Sequence, residues 1–453
     1  MLNTSADRLS LRRRVLNAGK WSLVGYGLGQ TIRFGTNLLM TRILAPEMFG
    51  VMGVVSVIMI GLTLFSDLGL KPSIIQNQRG NEPTFLNTAW VVQILRGIFL
   101  WLIGLTIALF LVVAGRFGAV PRASVYADSQ LPLLIVAMSF VAVIDGLGST
   151  KLIEANRNLS LVRITFVGIA SQIAALLWMV GWSLFDRSVW VLASGGICSS
   201  LVRTILSHAA LPGTTNRFHW DKSAFNEIFH FGKWIMIGSI IGFFAINGDR
   251  LLLGGLVNSS VLGAYVIAYL IFDSINQLLT RIIVDVSFPT LSEVARERPA
   301  RLKASYYKFH TYIASCAYFF AGALAVAGPR LIWLLYDVRY DQAGSMLQIL
   351  AAALATIPYS IAARCFIVLG KPSYLSYIGG IRLITLVIGI IVGLHIFGVL
   401  GSICGIVLSY FSIVPLTLFF QAQYDILDIR RELYAVLAGF GGAILGLFAN
   451  LFI

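Results

Sequence analysis

The stretch GKWSLVGYGLGQTIRFGTNLLMTRILAPEMFG at residues 19–50 recurs 213 positions later as GKWIMIGSIIGFFAINGDRLLLGGLVNSSVLG at residues 232–263. The two stretches share nine identical residues without a gap, including a Gly-Lys-Trp triplet and four further glycines. Apolar segments share leucine and isoleucine by chance, but not these residues at one fixed offset. The repeat predicts two structurally equivalent halves, an organisation common in membrane transporters that bind their substrate between repeats.

The composition of the chain is that of a membrane protein. Its 453 residues are 58% hydrophobic and 12% charged, with a mean hydropathy of +0.84, whereas soluble domains contain roughly 25% charged residues. The net charge of +14 does not indicate nucleic acid as a partner, because the basic residues lie mainly between apolar runs. The four cysteines and five histidines are scattered singly, so we expect no disulfide framework, metal site or cofactor.

Thirteen apolar runs are long enough to cross a bilayer, which requires about 20 residues per helix. They lie at 21–43, 49–70, 89–114, 131–150, 164–185, 189–211, 234–256, 260–285, 309–327, 344–369, 377–397, 402–420 and 433–453. The sequence therefore predicts an all-α polytopic membrane protein with two pseudo-symmetric six-helix bundles and one additional C-terminal helix. The predicted domains are the bundles at 1–211 and 234–420, a connecting segment at 212–233 with a short interfacial helix (225–231), and the extra helix at 421–453.

The distribution of basic residues predicts the orientation in the membrane. If the N-terminus is cytoplasmic, the inner loops contain 21 lysines and arginines and the outer loops 5. Cytoplasmic loops carry the excess of basic residues in membrane proteins. We therefore expect a cytoplasmic N-terminus, and both halves then begin on the same side, which makes the repeat a parallel one. The apolar run after residues 12–14 lacks a small-residue cleavage site, so we expect a retained first span.

The sequence contains no motif that supports catalysis. It lacks a G-x-x-x-x-G-K-[ST] phosphate loop, and neither an Asp-x-Asp pair nor a Ser/His/Asp arrangement stands out. The predicted outer loops are short, with at most about 16 residues, whereas an enzyme acting on an extracytoplasmic substrate usually has a larger exposed region. We therefore expect a transporter and not an enzyme.

The basic residues inside the predicted spans are all arginines: Arg33, Arg42, Arg96, Arg203, Arg250, Arg281, Arg364 and Arg382. Charges at membrane depth are costly, so they generally face a cavity or a partner. The planar guanidinium matches phosphate or carboxylate oxygens, which a lysine ammonium does not. This set favours an anionic and phosphate-bearing substrate. For those near helix ends, anchoring at the lipid headgroups is the alternative; they are Arg42, Arg203, Arg281, Arg364 and Arg382.

Arg33 is the arginine hardest to explain as an anchor. It lies at the middle of the first span, and Asn37 follows one turn later on the same helix face. Either Arg33 faces a cavity or it pairs with an acid. The candidate substrate-binding residues are Arg33, Asn37, Arg96, Arg250, Arg281 and Arg364. The candidates for binding a coupling ion are Asp67, Asp145, Asp249 and Asp273, each of which could instead neutralise an arginine.

Five short motifs resemble those of bacterial polysaccharide transporters. They are Gly19–Trp21, Thr41–Gly50 (TRILAPEMFG), Phe65–Leu70 with Ile74–Gln76, Leu262–Tyr265, and Phe288–Ser292. The resemblance extends from about residue 15 to 430, and its Leu-x-Pro-Glu-x-[Phe/Tyr]-Gly pattern is moderately specific. It implies the multidrug/oligosaccharidyl-lipid/polysaccharide exporter superfamily, with two six-helix bundles that alternate between inward- and outward-open states.

For that family the resemblance implies a polyprenyl-diphosphate-linked oligosaccharide as cargo, flipped from the cytoplasmic to the periplasmic leaflet of the bacterial inner membrane. The implied pathway is the export of exopolysaccharide, capsule or O-antigen, and the implied partners are membrane lipids and other polysaccharide assembly and export proteins. Two alternatives remain open at this point. One is a cation-coupled small-molecule antiporter of the same fold, and the other is a membrane-embedded enzyme of polysaccharide synthesis.

Overall fold

The computed structural model describes residues 4–66, 70, 74–75, 77, 79–158, 160–371, 373–434 and 436–452, with side chains except at 4–23, 229–241, 433–434, 436 and 451–452. All regular elements within these residues are helices, and no strand occurs among them, in agreement with the predicted all-α class. Backbone contacts divide the chain into two units. Unit 1 comprises Met1–Leu44, Val54–Arg122 and Tyr126–Ile240, and unit 2 comprises Ala45–Gly53, Ala123–Val125 and Ile241–Ile453. The predicted bundle boundaries stay a prediction.

Unit 1 is built from long apolar helices joined by short turns. Its helices are α1 (Thr4–Ile43), most of α2 (Pro46–Phe65), α3 (Pro83–Arg116), α4 (Leu131–Gly146), α5 (Lys151–Arg157), α6 (Leu161–Ser183), α7 (Trp190–Ala209) and the first part of α8 (Lys222–Leu256). Helix α3 packs along α4, α6 along α7, and α1 along α6. The α1–α6 contact is close at Gly25, where an added Cβ would overlap the side chain of Thr165.

The segment between α7 and α8 is hydrogen-bonded to the body of unit 1. The side-chain oxygen of Asn216 accepts a hydrogen bond from the Ser149 hydroxyl at 2.7 Å. The backbone N–H of Arg217 donates to the side chain of Asn87 at 2.9 Å. These bonds hold the polypeptide that connects the two repeats against α3 and the α4–α5 turn.

Residues 225–231 lie within a longer helix, and their predicted location at the membrane interface stays a prediction. They belong to the first turns of the continuous helix α8, which begins at Lys222. Ala224 and Ile228 are buried in an apolar cluster of unit 1 whose other members are Leu70, Ile74, Phe85, Leu86, Ala89 and Val92. Within the described side chains of this segment, Ile228 is therefore covered by protein.

An ion cluster around Arg79 reinforces the start of α8. The Arg79 guanidinium lies 2.9 Å from Glu227 and 3.2 Å from Asp221. The side-chain amide of Asn77, and then Arg79, lower the pKa of Glu227. Backbone N–H groups, first that of Ser223, lower the pKa of Asp221 together with Arg79. Both carboxylates are therefore ionised at neutral pH and tie α8 to the loop before α3.

Unit 2 contains the remaining helices. They are the last part of α8, α9 (Ser259–Ile282), α10 (Phe288–Glu297), α11 (Leu302–Leu335), α12 (Asp341–Ala351), α13 (Tyr359–Val368), α14 (Ser373–Phe411), α15 (Ile413–Gln423), α16 (Ile429–Tyr434) and α17 (Val436–Phe452). A π-helical turn at Ile283–Ser287 joins α9 to α10, and a 3-10 turn at Ala352–Thr356 joins α12 to α13. The terminal helix α17 packs along α11.

The first turns of α2 and α9, both in unit 2, make reciprocal contacts. A Cβ on Gly50 would overlap the carbonyl oxygen of Ser259, and a Cβ on Gly263 would overlap that of Pro46. Gly263 and Ser259 are the repeat equivalents of Gly50 and Pro46 at the offset of 213. Such reciprocity is what a local two-fold axis between two equivalent segments produces. It supports the equivalence that the sequence repeat predicts.

The chain is a multi-pass membrane protein, and the described residues contain nine helical runs that are long and apolar enough to span a bilayer, or ten with the bent pair α4–α5. The sequence predicted thirteen spans. The run Ser373–Gln423 counts once, although it contains two predicted spans. It is broken at Phe397–Gly398, where Gly398 has φ 64°, a conformation that favours glycine. The predicted spans 21–43 and 234–256 lie on α1 and α8, whose side chains are described only in part.

Candidate functional site

Unit 1 contains a cavity of about 310 Å³ between α2, α3, α4 and α7. Three charged side chains line it: Arg96 on α3, Asp145 on α4 and Arg203 on α7. The other lining residues that the structure describes are uncharged and include Gln93 and Thr204. The cavity thus contains charged side chains within a largely apolar lining.

Small residues and backbone-directed hydrogen bonds shape this cavity. At Gly97, α3 approaches α4 so closely that an added Cβ would lie 3.0 Å from the carbonyl carbon of Ala142. The Gln93 side-chain amide donates to three carbonyl oxygens at the end of α4, at 2.9–3.2 Å. The Thr204 hydroxyl donates to the carbonyl of Ile144 at 3.0 Å. These bonds satisfy the exposed carbonyls of the helix end and fix the wall of the cavity.

Neutral groups form hydrogen bonds with two of the charged side chains of the cavity, Arg96 and Asp145. Arg96 donates from Nε to Ser66 Oγ at 2.9 Å and from Nη2 to the carbonyl of Thr63 at 2.7 Å. Asp145 Oδ1 accepts from the Ser200 hydroxyl at 2.7 Å. Among the described residues Asp145 forms no ion pair, and Arg203 has neither an ion pair nor a hydrogen bond. The described part of the lining thus contains two arginines and one aspartate.

A second group of charged residues lies inside unit 2. Arg250 Nη2 donates to Asn247 at 3.1 Å, and its guanidinium carbon lies 4.4 Å from the centre of the Tyr269 ring. Asp249 is buried and accepts a hydrogen bond from the hydroxyl of Tyr265. The two neighbours also approach each other, with Arg250 Nε 3.9 Å from Asp249 Oδ1. Adjacent residues on a helix point in different directions, and the length of the arginine side chain permits this approach.

The same group continues to α14. Arg382 places its guanidinium carbon 4.0 Å from the centre of the Tyr410 ring, and Tyr410 shares a hydrogen bond with Tyr269. The Nε of Arg382 is buried and has no hydrogen-bond partner among the described residues. Asp273, on α9, accepts from the side-chain amide of Gln277 at 2.5 Å. Aromatic rings stabilise guanidinium groups through the charge distribution of their faces.

The other predicted binding residues are dispersed. On α1, Arg33 is exposed and has no hydrogen bond or ion pair with a described residue, and Asn37 is half-buried. Arg281 pairs with Asp285 one turn along the chain at 3.2 Å. Arg364 is half-buried on α13. None of these four predicted residues lines the unit 1 cavity. Asp67 lies outside the described residues.

The cavity brings together the predicted residues Arg96 and Asp145, and it adds Arg203, for which the sequence offered anchoring as the alternative. Gln93 was not predicted at all. Its position three residues before Arg96 puts both side chains on one face of α3, and this spacing was the available signal. Among the described residues, no group of three or more His, Cys, Asp or Glu side chains could hold a metal ion.

Similarity to proteins of known sequence supports a polysaccharide pathway. The model of a family described as polysaccharide biosynthesis protein matches residues 39–345. The chain is 23% identical over 353 residues to lipopolysaccharide biosynthesis protein WzxC of Escherichia coli (strain K12), which covers 76% of the chain and 67% of that protein. It is 21% identical over 331 residues to succinoglycan biosynthesis transport protein ExoT of Rhizobium meliloti (strain 1021), covering 73% of the chain and 64% of that protein.

Solved structures share the fold. The inward closed conformation of the lipid II flippase MurJ matches with a TM-score of 0.72 and 12% identity, covering 96% of this chain and 92% of that one. An inward-facing multidrug resistance MATE family transporter of the MOP superfamily matches with a TM-score of 0.64 and 13% identity, covering 89% and 98%. At such identities the likeness concerns the fold. Because the family model covers more than half of the sequence, the chain belongs to the polysaccharide biosynthesis protein family of membrane proteins.

Proposed function

We propose that this chain is a flippase that moves a polyprenyl-diphosphate-linked oligosaccharide from the cytoplasmic to the periplasmic leaflet of the bacterial inner membrane. The relatives support a transport role, since one is named a transport protein of succinoglycan biosynthesis and the matching folds are those of a flippase and a drug transporter. None of these names is that of an enzyme. The N-terminus lies in the cytoplasm according to the charge distribution.

The observation that carries the proposal is the excess of arginine in the unit 1 cavity. Among the described lining residues, two are arginines, Arg96 and Arg203, and one is an acid, Asp145. A transporter of cations would be expected to have the opposite balance, because a buried charge is stabilised by an opposite one. Guanidinium groups bind phosphate oxygens with two parallel hydrogen bonds. The cavity therefore suits the diphosphate of a lipid-linked oligosaccharide better than a cationic drug.

The proposed mechanism is alternating access. Arg96 and Arg203 bind the diphosphate on the cytoplasmic side, where the charge count puts these ends of α3 and α7. The other proposed contacts of the cargo during its passage are Arg33, Asn37, Arg250, Arg281 and Arg364. The proposed coupling-ion sites are Asp67, Asp145, Asp249 and Asp273. The polyprenyl tail stays in the lipid, because its transfer from lipid into water would lose hydrophobic stabilisation of about 0.8 kcal/mol per CH₂ group.

The test is the accumulation of lipid-linked oligosaccharide on the cytoplasmic leaflet of cells that depend on this chain. Arg203→Gln should lower the flux about tenfold or more, since a hydrogen bond to a charged group contributes about 1.5–3 kcal/mol. Arg203→Lys should be nearly as impaired, because the ammonium cannot form the two parallel bonds. Arg116→Gln is the matched control, an exposed arginine at the opposite end of α3.

Membrane abundance of each variant is measured alongside the flux. Normal flux in Arg203→Gln and in Arg96→Gln would remove the cavity from the mechanism. Absence of any accumulation when the whole chain is deleted would instead contradict the flippase function itself.

A further inference from the structure

The segment between α7 and α8 exposes two aromatic side chains. Residues 214–221 form no helix or strand, and within them Phe218 is 76% exposed and Trp220 is 47% exposed. Removal of aromatic surface from water is favourable, so large aromatic side chains are usually covered. Large apolar groups that stay exposed side by side often mark an interaction surface. These two rings are therefore candidates for contact with a partner of unit 1.

Hydrogen bonds to α3 fix the backbone of this segment. The backbone N–H of Arg217 donates to the side chain of Asn87 at 2.9 Å. The backbone N–H of Asp221 donates to the hydroxyl of Thr88 at 3.0 Å. Both acceptors belong to the second turn of α3, which begins at Pro83. The segment that carries the two exposed rings is therefore held at one level along α3.

The two rings are themselves supported by other aromatic rings. Phe218 packs on Trp90 of α3 with ring centres 5.0 Å apart. Trp220 packs on Phe225, in the first turns of α8, with ring centres 4.9 Å apart. Each exposed ring thus rests on a second ring with part of its surface and leaves the remainder uncovered. Both rings therefore keep a fixed position on the surface of unit 1.

The location of Asn87 and Thr88 on α3 indicates the depth of this segment in the membrane. The two residues directly precede the predicted apolar run 89–114 of that helix. Helix α3 is one of the helices long and apolar enough to span a bilayer. Its 34 residues extend over about 51 Å, whereas the hydrocarbon core of a bilayer is about 30 Å thick. The first turns of α3, and the segment bonded to them, therefore lie at the level of the phospholipid headgroups.

Two basic residues, Arg217 and Lys222, flank the aromatic pair. Both are exposed, and neither forms an ion pair with a described residue. Three acids of this region pair instead with Arg79, and they are Glu82, Asp221 and Glu227. These acids balance the charges of Arg79, Arg217 and Lys222. The aromatic rings, and not a general attraction of anions, must therefore carry any contact with the membrane.

We propose that residues 217–222 are an interfacial anchor, in which Phe218 and Trp220 insert among the phospholipid headgroups of the leaflet where α3 begins. The charge count makes this the cytoplasmic leaflet. Aromatic rings are favoured at the boundary between lipid and water, where their apolar surface leaves the water. The anchor holds the connection between the two repeats at the membrane surface, and it does not depend on which cargo the chain transports.

The anchor also adjoins the unit 1 cavity. Trp90, on which Phe218 packs, donates from Nε1 to the carbonyl of Leu147 at 3.3 Å. Leu147 lies between Gly146 and Gly148, which both line the cavity. A ring inserted in the headgroup region therefore supports, through Trp90, the end of α4 that forms the cavity wall.

The experiment measures the depth of spin labels on the full chain in phosphatidylcholine vesicles. A nitroxide is attached in Phe218→Cys, Trp220→Cys or Asn81→Cys, after the four native cysteines are replaced by alanine. Oxygen concentrates in the bilayer and a nickel chelate stays in water, so the ratio of their collision rates with the label rises with depth. Asn81 is the matched control, because it is exposed in the loop before α3 and lies farther from the apolar run. We expect the ratio at positions 218 and 220 to be several-fold higher than at 81.

Two results overturn the proposal. Equal ratios at the three positions would show that the rings face water, as they would on a docking surface for another protein. A higher ratio at 218 and 220 that appears only with phosphatidylglycerol in the vesicles would assign the contact to charge and not to the rings.

If the chain without cysteines fails to fold, Trp220 is tested with the native cysteines in place. The emission lost in Trp220→Phe, which retains an aromatic ring, is that of Trp220. Brominated phospholipid in the vesicles should quench this emission, and acrylamide in the water should quench it little. Strong quenching by acrylamide alone overturns the proposal.

Discussion

The reciprocal contact between α2 and α9 predicts that Gly50→Ala destabilises the protein. The new Cβ would overlap the carbonyl oxygen of Ser259 and lie 2.9 Å from its carbonyl carbon and 3.0 Å from the backbone nitrogen of Gly263. All three atoms belong to the backbone, so no side-chain rotation relieves the clash. Overpacking in well-packed interiors costs about 1–3 kcal/mol, and we expect the upper end of this range.

For a unit of this size, about 3 kcal/mol corresponds to a decrease in Tm of roughly 6–12 °C. The assay is thermal unfolding of the purified protein in detergent. Gly379→Ala is the matched control, because this residue is also in a helix of unit 2 and an added Cβ meets no atom within 4 Å. That substitution should be neutral or stabilising by about 0.5–1 kcal/mol, since alanine favours helix over glycine.

The reciprocity adds a second expectation. Gly263→Ala should be as damaging as Gly50→Ala, because its Cβ would lie 2.7 Å from the carbonyl carbon of Pro46. The double variant should lose less than the two single losses added together, since one separation of the helices relieves both clashes. A Tm for Gly50→Ala equal to that of Gly379→Ala would refute the close crossing. Additive losses in the double variant would show that the two contacts are independent.

Two further predictions concern the loops. The pKa values of Asp221 and Glu227 are lowered in the folded protein, so their contribution to stability is present above the ordinary carboxyl pKa values and is lost as pH falls from there through the lowered values. Arg79→Gln should therefore lower Tm at pH 7 and reduce the further loss of Tm as pH falls from about 5 to about 3, whereas an unchanged acid sensitivity in this variant would contradict the role of Arg79. A cysteine at Phe117 should react with an impermeant thiol reagent from outside the cell and one at Glu297 only after permeabilisation, and the reverse pattern would invert the predicted orientation.

The helices were predictable from the sequence because apolar length alone determines them. The break inside α14 was predictable as well, since the spans 377–397 and 402–420 were separated at the site where Gly398 adopts positive φ. The packing of residues 225–231 was not predictable from the sequence. Their pattern is amphipathic, but the residues that pack on Ile228, such as Phe85, lie about 140 positions earlier in the chain. Periodicity identifies a face and does not identify what packs on it.

The same limitation applies to the arginines. The sequence ranked Arg33 above Arg203 because Arg33 is deeper in its span, but depth does not say which side chains converge. Arg96 is held by Ser66 and Thr63, some 30 residues before it, and Arg203 lies about 100 residues beyond it in the chain. Such convergence depends on which helices are neighbours. No pattern within one helix contains that information.

The charges around each arginine indicate which arginines are available to bind an anion. The guanidinium of Arg250 packs on the Tyr269 ring and lies near the buried Asp249. The guanidinium of Arg382 packs on the Tyr410 ring. Both guanidinium groups are therefore already stabilised inside unit 2. The unit 1 cavity is different at Arg203, which has neither an ion pair nor a hydrogen bond with a described residue. An uncompensated guanidinium in a chamber inside a membrane protein is costly to keep. Its retention makes sense if the missing charge is supplied by the cargo, and we infer that the cavity of unit 1 is where the cargo's phosphates bind.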